Sequence, residues 1–235
     1  MAVFWLDAKK CKRKGDFYDT IEDMEGKAKF FQKYPLLKDA LSLAIFIACV
    51  VAGTLILNAF VFRSYNVVGS SMENTLQDED RIIVNRAAVT WSHFLGNAYV
   101  PERGQIVVFA NGDAEGPVTC EPPANTKDQY LIKRVIAFPG ERVVVKDGVM
   151  KIYNDEHPDG FVYDTDWRAG TEGPKEYTSG EVDLVVPDGE IFVSGDNREG
   201  SNSYDSRNGL GTIPYCRIVG PVNLRIFPLD RIRVF

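Results

Sequence analysis

Histidine and cysteine are scarce in this chain of 235 residues, with two of the first and four of the second. There is no CxxC pair and no Cys/His cluster with ligand spacing, so neither a structural zinc nor any other metal or cofactor is expected. His93, in TWSHFLG, sits among aromatics, and His157, in NDEHPDG, lies in a polar turn beside Pro158. Neither has an obvious orienting carboxylate partner, and a Ser-His-Asp triad is possible but unsupported. Excess positive charge is missing as well. Lys and Arg total 27 against 33 Asp and Glu, and the net charge of −6 argues against a nucleic-acid partner. Internal repeats and low-complexity tracts are absent.

One absence organises the chain. Between Asp39 and Arg63 lie twenty-three residues, 40–62, without a charge. As a helix they reach roughly 34 Å, enough to cross a hydrocarbon core of about 30 Å. A cleaved leader is a poorer fit, because thirty-nine residues precede the run. Lys27, Lys29, Lys33 and Lys38 come before it, whereas only Arg63 and Arg81 occur in the first twenty residues after it. The positive-inside bias then predicts a single-pass protein of the plasma membrane with its amino terminus in the cytoplasm. The expected division is a cytoplasmic tail at 1–39, a transmembrane helix at 40–62 and an extracytoplasmic β-rich domain at 63–235.

Cys120 and Cys216 then face an oxidising exterior where a disulfide is allowed, and their pairing stays open. RIIVNR, QIVVFA, YLIKRVIAF, RVVVKDGVMKIY, VDLVV and EIFVSG read as short strands separated by Gly, Pro and Asp. Asp147-Gly148 is a hairpin signal. Loops or small insertions are expected near 110–129 and 146–190. No sustained helical periodicity follows residue 62, which predicts a mostly β fold.

Three stretches carry candidate chemistry. VVGSSMENTL offers serines shortly after the apolar run, readable as a loop or as a nucleophile turn. In YLIKRVIAFPG, strand alternation sets Lys133 with Leu131 and Val135, opposite Ile132, Arg134 and Ile136. A buried lysine can lose about 3–5 pKa units and accept a serine proton, whereas one at a strand edge keeps its amine in water. VSGDNREGSNSYDSRNGLGTIP is a long polar stretch following a strand, and such loops tend to be functional or disordered. Arg198 stands where a calcium loop needs an oxygen ligand.

Taken in order, these stretches resemble type I signal peptidases, the membrane-bound Ser-Lys proteases of peptidase family S26. GSSMENTL is similar to the nucleophile box, DRIIVNR and RGQIVVF to the strand boxes that follow, and YLIKRVIAFPGE to the box carrying the general base. GDNREGSNSYDSR resembles the closing box and IVGPVNLRIFP the final strand. The resemblance implies a signal-peptidase and SOS-repressor-like β fold. It implies Ser71 as nucleophile, Lys133 as base, the Ser71 backbone amide as oxyanion donor, and Ser203 (or Ser201) as the hydroxyl that orients the lysine. Val67, Ile82 and Ile132 would line shallow pockets for small residues, and Arg134, Asp205 and Arg207 would support the site as an ion-pair group. The implied partners are secretory preproteins cut at Ala-X-Ala sites and the lipid bilayer.

The chain departs from that pattern at three places. Asn74 stands where proline is usual, Gly69 stands where some members carry an oxyanion-hole serine, and the closing box is two residues longer. Ser71 lies nine residues beyond Phe62, at most about 30 Å of extended chain, so it is tethered near the outer membrane surface. Two rival readings stay open. One is a Ser-Lys autoprotease like the SOS repressors, which the apolar span argues against. The other is a catalytically inactive, membrane-anchored β module that binds export or envelope proteins.

Overall fold

The computed structural model describes residues 35–73, 75–111, 130–162 and 177–235. The chain divides into two compact units, Met1–Ile56 and Leu57–Phe235. The expected tail at 1–34 and most of the expected insertion at 110–129 lie outside the described residues.

Helix α1, Pro35–Phe60, runs from the first unit into the start of the second. Proline suits a first helical position, where its missing N–H has no intrahelical acceptor and its φ is already set. From Asp39 to Phe60 the helix has a mean hydropathy of 2.7, and none of its most apolar window is buried in protein. By length and composition it can cross a hydrocarbon core. It stops at Phe60, two residues before the expected end at 62. Phe62 already belongs to strand β1, Phe62–Asn66, and its backbone pairs with Asn85. Sheet pairing takes the end of the apolar run.

The second unit is mostly β. Its larger sheet contains β1, β2 (Arg81–Asn85), β3 (Ile106–Ala110), β4 (Tyr130–Ala137), β9 (Glu190–Ser194), β10 (Ile213–Pro214), β11 (Ile218–Phe227) and β12 (Arg233–Val234). The order is β1-β2-β11-β3-β4-β9-β10, with β12 also on β11. A second sheet, β7-β6-β5-β8, is built from β5 (Arg142–Lys146), β6 (Val149–Tyr153), β7 (Phe161–Val162) and β8 (Val182–Val185). All pairings are antiparallel among the described strands. Part of the expected insertion at 146–190 is therefore ordered sheet, and 163–176 lie outside the described residues.

Alternation decides which side chains meet. On β3, Val107 and Phe109 enter one apolar cluster with Val135 and Val193, while Ile106 and Val108 enter another with Val67, Met72 and Ile82. Both faces of β3 are covered, so all five of its residues are buried. A third cluster joins Ile136 and Phe192 of the larger sheet to Val143, Met150 and Ile152 of the smaller. At the β5–β6 turn, Asp147 and Gly148 have φ of 51° and 82°, the positive pair that a tight hairpin requires. On β11, Gly220 passes so close to the Asn85 carbonyl that a Cβ would collide with it.

Helix α2, Ala87–Phe94, is a short helix in the mostly β unit, in a stretch where no sustained helical periodicity is readable. Its eight residues bury only Val89, so no periodic apolar stripe exists to be read. Just ahead of the helix, the Asn85 side chain accepts from the Ala87 N–H at 2.9 Å. Cys216 is disulfide-bonded and Cys49, on α1, is free. Cys11 and Cys120 lie outside the described residues.

Candidate active site

The turn that carries Ser71 is held from below and from both ends. Met72 and Leu76 are fully buried in the cluster with Val67 and Ile82, and this fastens the turn to the sheet. Gly69 adopts a φ of 90°, a region open to glycine, and its N–H donates to Asp78 Oδ1 at 2.8 Å. Past the serine, Glu73 N–H donates to the Ser70 carbonyl at 3.0 Å and Leu76 N–H to the Met72 carbonyl at 2.8 Å. Ser71 itself is half-buried.

Strand β4 brings Lys133 to it. Lys133 Nζ lies 2.6 Å from Ser71 Oγ, and only 3 % of the lysine is exposed. Burial pushes its pKa down from the ordinary 10.5 to about 8, against the pull of the Asp205 and Asp196 carboxylates. About a tenth of such lysines are neutral at pH 7, compared with less than a thousandth of free ones. The structure thus brings a lysine to the serine. His93 is exposed on α2, and His157 is exposed beside Asn154 and Phe161.

The closing stretch packs behind the serine. Asn197 N–H donates to the Ser71 carbonyl at 3.0 Å, and its side-chain amide donates to the Ser70 carbonyl at 3.1 Å. Gly195 lies against the Ser71 carbonyl and the Ser203 side chain, so close that a Cβ would overlap both. Ser203 is 1 % exposed, and its hydroxyl is close enough to Asp205 to help hold that carboxyl low. Ser201 is exposed.

Two buried ion pairs frame these groups. Arg207 Nη2 donates to Asp205 Oδ2 at 2.7 Å, and the Gly195 N–H donates to the same oxygen at 2.8 Å. Burial raises the Asp205 carboxyl, but Arg207, the Ser203 hydroxyl and the Gly195 amide outweigh it and hold the pKa below its usual range. Arg134 does not join that pair. It grips Asp196 with Nε at 2.7 Å and Nη2 at 2.6 Å, and Nη2 also reaches Thr75 Oγ1 at 3.4 Å. The expected Asp205–Arg207 pair is present, and Arg134, the optional third member, pairs with Asp196 instead.

Val67, Ile82 and Ile132 all belong to the apolar cluster beneath the serine turn, with Ile132 only partly buried. A separate cavity of 720 Å³ opens beside Val67 and Val68, with Asp78, Arg81 and Phe227 in its walls; Ser71 and Lys133 do not line it. Among the described residues, no group of three or more His, Cys, Asp or Glu side chains is placed to hold a metal ion. Sequence reasoning gave no role to Asp196 or Asn197, although both stand inside the closing box; GDN marked them. Asp80 and Arg225 were missed altogether. They pair at 3.0 Å, and Arg225 also donates to the Thr75 carbonyl at 3.0 Å.

With this geometry in place, similarity to known proteins defines the class as a serine endopeptidase, a hydrolase of peptide bonds. The family described as signal peptidase, peptidase S26, matches residues 38–227. Signal peptidase I of Bacillus licheniformis is 34% identical over 190 residues, covering 81% of this chain and 89% of that protein. Signal peptidase I T of Bacillus subtilis (strain 168) is 35% identical over 190 residues, covering 81% and 86%. A probable signal peptidase I-1 of Synechocystis sp. is 34% identical over 200 residues, covering 85% and 84%. The crystal structure of a signal peptidase I from Enterococcus faecalis V583 matches at 27% identity, with a TM-score of 0.35, over 53% of this chain and 98% of that one. The chain belongs to the signal peptidase family, peptidase S26.

Proposed function

We propose that this signal peptidase removes the signal peptides of secretory preproteins with a Ser71–Lys133 dyad, cutting after small residues of the Ala-X-Ala type. The observation that carries this reading is the 2.6 Å contact between the Ser71 hydroxyl and a buried amine whose pKa is lowered to about 8. Neutral Lys133 takes the Ser71 proton as Oγ bonds to the scissile carbonyl carbon. The tetrahedral oxyanion is stabilised by the Ser71 backbone N–H, in a turn that Asn197 and Asp78 hold in shape. The ammonium of Lys133 then returns the proton to the leaving amine, the C–N bond breaks, and the mature protein departs. Water attacks the acyl-enzyme, giving its proton to Lys133, and Ser71 is released when the lysine protonates its oxygen.

Val67, Ile82 and Ile132 line the shallow ground that accepts small side chains ahead of the cut. Ser203 is the hydroxyl that orients Lys133, supported by its burial against Gly195 behind the serine. Helix α1 is the membrane anchor, with its amino terminus in the cytoplasm and residues 63–235 as the peptidase domain outside. A net charge of −6 fits a protein with no nucleic-acid partner.

The test is cleavage of a preprotein with an Ala-X-Ala site in lipid, comparing the intact chain with Ser71→Ala and Lys133→Ala, all three shown to be folded. Cleavage lost in both variants supports the dyad. Activity that survives Lys133→Ala moves the base elsewhere, and an inactive intact chain favours a binding module.

A further inference from the structure

We propose that Asp80 and Arg225 are positioning residues, a buried pair that sets the Ser71 turn against Lys133 by holding the loop rather than the reacting atoms. The inference rests on the reading of Ser71 and Lys133 as the catalytic dyad and adds what keeps the nucleophile in register with its base. The loop that carries Ser71 is closed at its base. The Val67 N–H donates to the Asp80 carbonyl at 2.8 Å, and the Glu79 N–H donates to the Val67 carbonyl at 3.0 Å. Residues 67–80 thus leave the sheet and return to it at one point. The 2.6 Å contact between Lys133 Nζ and Ser71 Oγ tolerates little drift within that loop.

Two buried arginines meet on Thr75, four residues past the serine. Arg225, on β11, donates from Nη1 to the Thr75 carbonyl and to Asp80 Oδ2, both at 3.0 Å. Arg134, the chain neighbour of Lys133 on β4, reaches Thr75 Oγ1 from Nη2 at 3.4 Å. Thr75 passes the constraint back toward the nucleophile, because its N–H donates to the carbonyl of Met72 at 3.0 Å and Met72 follows Ser71 directly. The strand that carries the base and the strand that carries Arg225 therefore hold the same residue of the loop.

Asp80 completes the clamp. It is fully buried, and its Oδ2 accepts from the Gln77 N–H at 2.9 Å as well as from Arg225. Its Oδ1 lies 3.4 Å from Arg231 Nη2, in the short helical turn Leu229–Arg231. Arg231 also donates to the Gln77 side chain, and Arg225 Nε donates to the Arg231 carbonyl at 2.6 Å. One carboxylate gathers two arginines and the returning limb of the loop. Stability alone is a poor account of such a pair, since apolar side chains of similar volume are often as good or better in its place. Met72 and Leu76 already fasten the loop to the core. What apolar contacts lack is direction, and the planar fork of an arginine supplies it.

Steady-state kinetics on the full-length chain in lipid, with an Ala-X-Ala preprotein, test the pair. Asp80→Asn keeps the shape and removes the charge, whereas Arg225→Lys keeps the charge and removes the fork. Ile152→Ala, in the cluster that joins the smaller sheet, serves as a variant destabilised elsewhere. Urea melts give the folded fraction of each. Per folded enzyme, kcat is expected to fall about 10- to 100-fold in Asp80→Asn and in Arg225→Lys, with KM within about twofold, and to stay unchanged in Ile152→Ala. The double variant should lose no more than the worse single one, because the two residues act as a unit. Unchanged kcat in the folded single variants would overturn the proposal. So would a raised KM at unchanged kcat, losses that multiply in the double variant, or an equal fall in Ile152→Ala. Should Asp80→Asn fail to fold, Arg225→Lys decides, and failure of both to fold would make the pair a structural one and overturn the proposal. Failure of the dyad reads differently: Lys133→Ala would then keep its activity. Failure of the positioning pair alone leaves Lys133→Ala inactive and Asp80→Asn at full kcat.

Discussion

Gly195 packs against the carbonyl of Ser71 with no room for a methyl group between them, and the Ser203 side chain closes the other side of the gap. Gly195→Ala must therefore move the serine turn, the closing loop or both. Overpacking of this kind costs about 1–3 kcal/mol, and a displacement of ~1 Å at a nucleophile costs about 100-fold in rate. The expected variant is folded, slightly less stable and about a hundredfold slower on a preprotein in kcat/KM. Thermal melts alongside the cleavage assay separate the two effects, and unchanged kinetics would mean that the contact is slack.

Catalysis should follow the ionisation of Lys133. Its pKa is lowered to about 8 by burial, and only the neutral form accepts the serine proton. Below that value kcat/KM should rise about tenfold per pH unit, levelling off above it. An acidic limb near the ordinary 10.5, or one near 6.5 as expected of histidine, would contradict the assignment of the base.

The same burial weighs on stability, with a definite sign. Folding lowers this amine's pKa from 10.5 to about 8, so the folded chain binds the proton less tightly than the unfolded one. The penalty is complete below about pH 8, is relieved as pH rises from there toward 10.5, and amounts to about 3 kcal/mol at most. Lys133→Met keeps the volume and removes the charge. It should abolish cleavage yet raise the melting temperature at pH 7, with the gain shrinking toward pH 10. A lower melting temperature at pH 7 would show that the amine is better solvated than its 3 % exposure implies.

Asp205 and Arg207 behave in the opposite way. Both side chains are fully buried, so removing one partner strands the other. Asp205→Ala should cost about 3–5 kcal/mol, read as a shift in the urea midpoint at neutral pH. Because folding depresses this carboxyl, its stabilising contribution is present above the ordinary 3.8 and lost as pH falls through the folded value. The parent should lose stability more steeply than the variant in that acidic range.

Much of this arrangement is readable from residue patterns, and the misses share a cause. The strands RIIVN, IVVFA and YLIKRVIA announce themselves through β-branched and aromatic runs, and Asp147-Gly148 announces its own turn. Lys133 stands out as an ionisable side chain within a largely apolar strand. Helix α2 is too short for periodicity, and the end of α1 depends on a pairing partner some twenty residues downstream. The ion pairs are harder still. Arg134 meets Asp196 across 62 positions, and nothing local says that it prefers that carboxylate to Asp205. Split pairs of this kind are decided by which strands lie side by side.

The contact between Lys133 and Ser71 joins positions 62 apart in the chain, on a turn and a strand that do not pair with each other. In an unfolded chain the amine has its ordinary affinity for a proton and sits nowhere near a hydroxyl. On the proposed dyad, a newly made copy is thus inactive until its domain closes. Folding arms the enzyme, and melting disarms it, so a damaged copy loses its capacity to cut neighbouring proteins as it loses its shape.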